Sequence, residues 1–236
     1  MNRILTTSLI GSAAAIALVA GSCAPAFADG ATPAPHGQTL ADIQKSASIK
    51  TTQRIGSLNT AIARVNAAKD ITTADRATIL ATLNADVAGM NTVEAKIAAD
   101  TDVATAAADY RTIFLTYRVY AVAIPQARFA AAADRMTGTA IPRLTDAQTR
   151  LAAALSGPDA GKSTPALQAD LTDMQNQIAA ATSGLNGVAA ASLAVTPADF
   201  NANHSVLEPE RTSVKSALAD IRKAVSDGKT ILAAIK

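Results

Sequence analysis

The chain has 236 residues, of which only 3% are aromatic, and its formal net charge at pH 7 is +2. This near-neutral balance excludes the strongly basic character of nucleic-acid-binding proteins and gives no strong attraction to anionic lipid. The single cysteine, Cys23, lies close to the N-terminus, so a chain that loses its leader has no disulfide, thiolate metal site or cysteine nucleophile. Alanine, which has the highest helix propensity, is by far the commonest residue, and composition therefore favours closely packed helices.

Residues 1–28 have the pattern of an export signal. Arg3 precedes an apolar stretch from Leu9 to Ala20, and Ala26-Phe27-Ala28 has the small-x-small form that signal peptidase recognises. We therefore predict cleavage before Asp29 and a mature protein that is secreted or associated with the cell envelope. No later apolar run reaches the ~20 residues of a membrane span, so none is expected in the mature chain.

Lipidation is an alternative at this end of the chain. Cys23 would be the acceptor in a lipoprotein, but Ala20-Gly21-Ser22 before it lacks the Leu usually found three positions upstream. Cleavage before Asp29 is therefore favoured. The residues that follow, 29–37, contain two prolines with Gly and Ala, which indicates a flexible lead-in.

Residues 38–236 have the hydrophobic period of helices. A first helix is predicted over roughly Thr39–Ala68 and a second over roughly Thr73–Ala99. The junctions at Asp70-Ile71-Thr72-Thr73 and Asp102-Val103-Ala104-Thr105 share a pattern in which a hydroxyl caps the next helix. Such short connections place neighbouring helices antiparallel. The apolar seams of these two helices are Ile55, Leu58, Ile62 and Val65, and Leu80, Leu83, Val87, Met90 and Ile97.

The third segment, about Thr105 to Leu155, is less regular. Pro125 and the pair Gly138 and Pro142 are expected to kink or divide it. Ile113 to Ile124 is rich in β-branched and aromatic residues and could be read as a strand. A helix is favoured here because the sequence offers no second strand to pair with it.

Residues 156–164 form the longest predicted internal loop, which would divide the bundle into halves at 38–156 and 164–236. The next helix has a clear start, because Thr164 can cap it and Pro165 suits the first helical position. Thr196-Pro197-Ala198-Asp199 has the same form. Alternating spacings of three and four predict heptad seams, and the expected fold is all-α, an elongated antiparallel bundle. The later seams are Leu167, Leu171, Met174, Ile178, Ala181, Leu185 and Val188, and Leu207, Val214, Leu218, Ile221, Val225, Leu232 and Ile235, with Arg211 and Gly228 at two positions.

Three patterns in the sequence could suggest a nucleotide, metal or catalytic site, but each is better explained as a loop, a cap or a solvent-exposed side chain. The loop from Gly157 to Ser163 has three residues between its glycines and follows a helix, whereas a phosphate-binding loop has four and follows a strand. His36 lies in the lead-in, and His204 with Glu208 would make only a weak metal pair. No serine lies in a nucleophile elbow. We therefore expect a non-enzymatic protein with no metal and no cofactor.

The aromatic residues are concentrated in one place. All three tyrosines and half the phenylalanines fall between Tyr110 and Phe129. Tyr110, Phe114 and Tyr117 share one face of a predicted helix, and Tyr120 extends it. These four residues are either the filling of the bundle's middle, which we favour, or a patch that contacts a partner or ligand. Arg118 among them is expected to pair with an acid on a neighbouring helix.

The chain resembles a group of uncharacterised secreted helical proteins of high-GC Gram-positive bacteria, the Actinobacteria. The residues that carry the resemblance are Tyr117-Arg118-Val119-Tyr120-Ala121 with Pro125, Ala132-Ala133-Asp134-Arg135, the stretch from Thr196 to His204, and Asp70-Ile71-Thr72. Phe200 departs from the Tyr or Trp expected there. The resemblance implies an exported helical protein and carries over no active site.

These observations lead to two functional hypotheses. The first is an exported helical protein of the envelope or secreted fraction with a structural or protein-interaction role, whose partner is a protein, an envelope component or a second copy of itself. The alternative is a carrier that holds a small apolar or aromatic ligand between helices near Tyr117 and Tyr120. A cavity lined by the rings would favour the carrier, and apolar residues left on an outer face would favour the interaction protein.

Overall fold

A computed structural model describes residues 37–236. Every regular element within them is helical, which confirms the all-α prediction. The predicted cleavage position at Ala26, Ala28 and Asp29, the alternative acceptor Cys23, and residues 29–36 of the lead-in lie outside the described residues. The α-helices are α1 (Leu40–Ala67), α2 (Thr73–Ala99), α3 (Val103–Leu115), α4 (Ile124–Arg135), α5 (Ile141–Ser156), α6 (Pro165–Leu185), α7 (Val188–Ala194), α8 (Pro197–Ala202) and α9 (Glu208–Ile235).

Side-chain caps begin five of the helices, and at the second predicted junction the cap is the Asp102 carboxylate rather than the hydroxyl that the sequence predicted. Thr39 starts α1 with a reciprocal capping box to Asp42, and Thr72 and Asp102 cap α2 and α3. Thr164 caps α6, with Pro165 in its first turn, and Thr196 caps α8. Each cap supplies an acceptor to a backbone N–H that the helix cannot satisfy by itself. These starts are therefore local properties of the sequence.

The described chain divides into two compact units. The first unit contains residues 37–131 and 189–210, and the second contains residues 132–188 and 211–236. This division differs from the halves at 38–156 and 164–236 that the sequence suggested. The reason is that α5 and α6, on either side of the loop at 157–164, pack against each other within the second unit.

Helices α1, α2 and α3 pack together in the first unit. Gln44, near the start of α1, donates through Nε2 to the carbonyls of Ile97 and Asp100 at the end of α2, at 3.2 Å each. Arg76, near the start of α2, donates to the carbonyls of Val65 and Ala68 at the end of α1. Both contacts show that α1 and α2 are antiparallel. The fully buried large apolar side chains of these three helices are Ile43, Leu58, Ile79, Leu83, Met90, Ile97 and Ile113.

Helix α9 of the second unit buries a different stripe from the one predicted. Val214, Ile221, Gly228 and Ile235 are buried as expected, but the other buried positions are held by Ala217, Ala224 and Ile231. The predicted Leu218, Val225 and Leu232 are only half-buried. Small residues therefore hold three positions of the buried stripe, Ala217, Ala224 and Gly228. A Cβ at Gly228 would lie 3.4 Å from Met174 Sδ and 3.7 Å from Leu151 Cδ1.

The seam predicted to run from Leu167 to Val188 is interrupted. Helix α6 ends at Leu185, and Gly187 adopts φ +75°, a left-handed conformation that glycine accepts without steric cost. Val188 then begins α7. Leu167, Met174, Ala181 and Leu185 are buried in α6, whereas Leu171 and Ile178 are half-buried.

The third predicted segment is broken at Thr116–Arg118, before either proline. Arg118 has φ +43°, the one left-handed non-glycine residue in residues 37–236. A π-helical turn precedes each Ile-Pro pair, at Val119–Ala123 before Pro125 and at Met136–Ala140 before Pro142. Proline has no N–H and its ring crowds the carbonyl four residues back, so the wider turn relieves both problems. The prolines therefore widen the helix rather than end it.

Candidate partner-binding site

The four aromatic residues singled out in the sequence lie together in the first unit but differ in exposure. Phe114 is buried, Tyr110 and Tyr117 are half-buried, and Tyr120 is 37% exposed. Tyr117 does not share the helical face of Tyr110 and Phe114, because α3 ends at Leu115. The group is thus part core and part surface.

Arg54 of α1 joins these rings and was not predicted. Its guanidinium carbon lies 4.6 Å from the centre of the Phe114 ring and 5.0 Å from that of Tyr120. Arg54 is only 3% exposed, so these cation–π contacts act in a largely desolvated setting. Phe114 in turn meets Tyr110 edge-on, with ring centres 5.2 Å apart. The result is a continuous stack of two rings, a guanidinium and the exposed ring of Tyr120.

Hydrogen bonds hold the outer end of this stack. The hydroxyl of Tyr120 lies 3.2 Å from Ser57 Oγ and donates to the carbonyl of Gln53 at 3.4 Å. About one turn before Arg54 on α1, the buried Thr51 donates to Glu94 Oε2 of α2 at 2.8 Å. The ring of Tyr120 is therefore fixed by Arg54 and by its hydroxyl, while part of its surface faces solvent.

The surface around Tyr120 has little charge. Two stretches of the chain near Tyr120 contain one charged side chain each. It is Arg54 in residues 51–63 of α1 and Arg118 in residues 112–127. Both are buried. The exposed side chains within these two ranges carry no charge, and one of them, Leu115, is a 36% exposed apolar residue. This arrangement suits a neutral or mixed partner surface better than a strongly charged one.

Tyr117 lies against α2 in a separate contact. Gly89 makes room for it: a Cβ there would stand 2.2 Å from Tyr117 Cε1 and 2.5 Å from its hydroxyl oxygen. Asp86, one turn earlier on α2, is half-buried, and this burial raises the pKa of its carboxyl to about 6. Burial, with a smaller contribution from the Asp86 charge, raises the pKa of Tyr117.

Arg118 connects the break after α3 to α8. Its Nε donates to Asn201 Oδ1 at 2.7 Å, and its guanidinium carbon lies 5.3 Å from the centre of the Phe200 ring. Asn201 Nδ2 donates to the carbonyl of Leu115 at 3.0 Å, which satisfies the end of α3. In these two contacts the partners of Arg118 are an amide and a ring. His204 packs on the far side, 5.0 Å from Phe200 between ring centres.

The loop that resembles a phosphate site has a structural role. Lys162, in the 3₁₀ turn Ala160–Lys162, donates to the carbonyl of Ile235 at the end of α9 and lies 3.5 Å from Asp159 Oδ1. Among residues 37–236 no group of three or more His, Cys, Asp or Glu side chains could hold a metal ion. No helix in this range is both long and apolar enough to cross a bilayer.

Comparisons of the chain with protein-family models, with curated proteins and with solved structures found no match. The actinobacterial group expected from the sequence therefore stays a prediction.

Proposed function

We propose that the protein is an exported, non-enzymatic helical protein of the cell envelope or secreted fraction, and that it binds a protein or another envelope component through Tyr120. The observation that carries this proposal is the exposure of Tyr120, which is 37% although Arg54 and Phe114 beneath its ring are buried. Export itself rests on the sequence pattern of residues 1–28.

Tyr120 has the properties of a binding hot spot. An aromatic ring gives a large contact area, and a ring already held in one orientation loses little conformational entropy when a partner covers it. Arg54 and the hydrogen bonds to Ser57 and Gln53 provide this preorganisation.

The carrier hypothesis has less support from the same contacts. Arg54 occupies the space between Phe114 and Tyr120, and Tyr117 fills the space above Gly89. A ligand held between these groups would have to displace one of them. The carrier remains the alternative, with a small apolar or aromatic ligand held between helices near Tyr117 and Tyr120.

Affinity capture tests the proposal directly. The chain beginning at Asp29 is immobilised and exposed to envelope and culture-supernatant fractions of the producing organism. A Tyr120→Ala variant should lose the captured component, whereas Ile49→Ala should retain it. Ile49 is a suitable control because it is a 47% exposed apolar residue on α1, outside the aromatic group. Capture that is equal for both variants would reject Tyr120 as the contact.

Mass spectrometry of the secreted protein tests export separately. Cleavage before Asp29 is expected, and a lipid-modified Cys23 at the N-terminus would make the protein a lipoprotein instead. Retention of residues 1–28 on a cytoplasmic protein would reject export.

A further inference from the structure

Asn201 of α8 contacts both ends of the break that follows α3. Its Oδ1 accepts from Arg118 Nε at 2.7 Å, and its Nδ2 donates to the carbonyl of Leu115, the last residue of α3, at 3.0 Å. One amide side chain therefore satisfies a helix end on one side of the break and an arginine on the other. The bridge holds the two ends of residues 116–118 in fixed positions.

Arg118 needs such contacts because its backbone is left-handed. Its φ of +43° is unfavourable for a residue with a side chain and persists only where the surrounding structure imposes it. The residue is buried, and its guanidinium contacts Asn201 and the Phe200 ring, whose centre is 5.3 Å away. Both of these partners belong to α8. The contacts with α8 therefore stabilise a backbone conformation that the chain would otherwise disfavour.

The π-helical turn that carries Tyr120 starts at the carbonyl of Arg118. Three successive N–H groups of the turn donate to this one oxygen, at 3.1, 2.7 and 3.4 Å, and they belong to Ala121, Val122 and Ala123. Tyr120 lies within the same turn. A movement of the Arg118 backbone would therefore move the turn and the exposed ring with it.

Helix α8 depends on its caps and contacts, because six residues are too few to persist as a helix alone in water. A capping box begins it, in which the N–H and Oγ1 of Thr196 donate to Asp199 Oδ2 at 2.8 and 2.7 Å. These hydrogen bonds hold the pKa of the Asp199 carboxyl below its ordinary value, so the carboxylate remains an acceptor. Phe200 and Asn201 then attach the helix to the break after α3.

We propose that Asn201 is a positioning residue for the Tyr120 site. Through Arg118 it fixes the break at residues 116–118 and, with it, the orientation in which the π-helical turn presents the Tyr120 ring. The inference rests on the proposed function, since Tyr120 is the contact that Asn201 positions, and it adds α8 to that site.

Amide hydrogen exchange tests the link from Asn201 to the turn. Asn201→Ala should speed the exchange of residues 121–123 about tenfold, the effect of losing one hydrogen bond to a charged group. Asn201 is exposed, so its truncation leaves no buried void and the variant should remain folded. Asn203→Ala is the matched control, because this neighbouring amide accepts from Ser205 N–H in its own turn at 3.0 Å. It should leave the exchange of residues 121–123 unchanged.

Tyrosine emission tests the positioning of the ring itself. The chain has no tryptophan and three tyrosines, so Tyr110→Phe and Tyr117→Phe together leave Tyr120 as the sole tyrosine emitter. Its emission anisotropy should fall with Asn201→Leu, which keeps the approximate volume of the side chain but offers no acceptor. Anisotropy should persist with Asn201→Asp, which keeps an acceptor for Arg118.

Unchanged exchange of residues 121–123 in Asn201→Ala, or an anisotropy that Asn201→Leu retains, would overturn the proposal. Both measurements are made on the isolated protein. Their failure is therefore distinguishable from continued capture by Tyr120→Ala, which would reject the proposed function instead.

Discussion

The ring of Tyr117 occupies the place where a Cβ on Gly89 would stand, with ring atoms between 2.2 and 2.6 Å from that position. Gly89 is in the middle of α2, where glycine normally weakens a helix by up to about 1 kcal/mol relative to alanine. Its presence there is explained by the close approach of the ring.

Gly89→Ala should therefore destabilise the protein despite the better helix propensity of alanine. The new methyl group would push Tyr117 off α2, at a cost of roughly 1–3 kcal/mol in the free energy of unfolding. Gly56→Ala is the matched control, since nothing lies within 4 Å of its Cβ position on α1, and it should be neutral or stabilising. Urea unfolding measures both, and a stabilised Gly89→Ala variant would show that Tyr117 is not seated there.

Replacing Arg54 should lower the free energy of unfolding more than replacing an exposed arginine would. Arg54→Ala removes the group between Phe114 and Tyr120 and leaves a void, so a loss of roughly 2–3 kcal/mol is expected from denaturant unfolding. Arg54→Lys keeps the charge without the planar guanidinium and should fall between the parent and Arg54→Ala. Equal stability of all three would mean that the stack contributes nothing.

The buried stripe of α9 can be tested by two substitutions three residues apart: Ile221 belongs to both the predicted and the observed seam, whereas Leu218 belongs only to the predicted one. Ile221→Ala should cost about 2–4 kcal/mol, because Ile221 is fully buried. Leu218→Ala should cost clearly less, because Leu218 is half-buried. Thermal unfolding compares them, and a larger loss for Leu218→Ala would restore the seam predicted from the sequence.

Helix bounds were predictable because their causes are local. A capping hydroxyl and the residues within one turn of it, as at Thr39, Thr72 and Thr164, decide where a helix starts without reference to the rest of the chain. The all-α class follows from the same periodic segments. The interruption at Gly187 was also local, but it was missed because the apolar spacing continues through it to Val188.

The missed features depend on contacts between distant segments. Arg54 lies in register with the buried Thr51 and Leu58, yet a search for apolar residues passes over it, and its ring partners are about 60 residues away. A charged residue in a seam register is the signal that could have found it. The buried alanines of α9 were missed for a related reason: a search for large apolar side chains passes over alanine, and the face that a helix buries depends on the helices packed against it.

The pH dependence of stability should carry the signature of Asp86. Its folded pKa of about 6 exceeds the ordinary value of 3.8, so the folded protein binds more protons than the unfolded chain between these values. Stability contributed by this group therefore falls as pH rises through that window and stays low above it. The melting temperature of Asp86→Asn minus that of the parent should accordingly increase from pH 4.5 to 7.5. A difference that is constant with pH would contradict this.

The most direct test of the account is the affinity of the captured component for Tyr120 variants that are otherwise intact. Tyr120→Ala should weaken binding by about 30-fold or more, the effect of losing a hot spot of 2 kcal/mol, while Tyr120→Phe should retain most of the affinity. The melting temperature of Tyr120→Ala should stay within a few degrees of the parent, since the ring is partly exposed. Unchanged affinity together with a large loss of stability would show that Tyr120 belongs to the core and that the partner binds elsewhere.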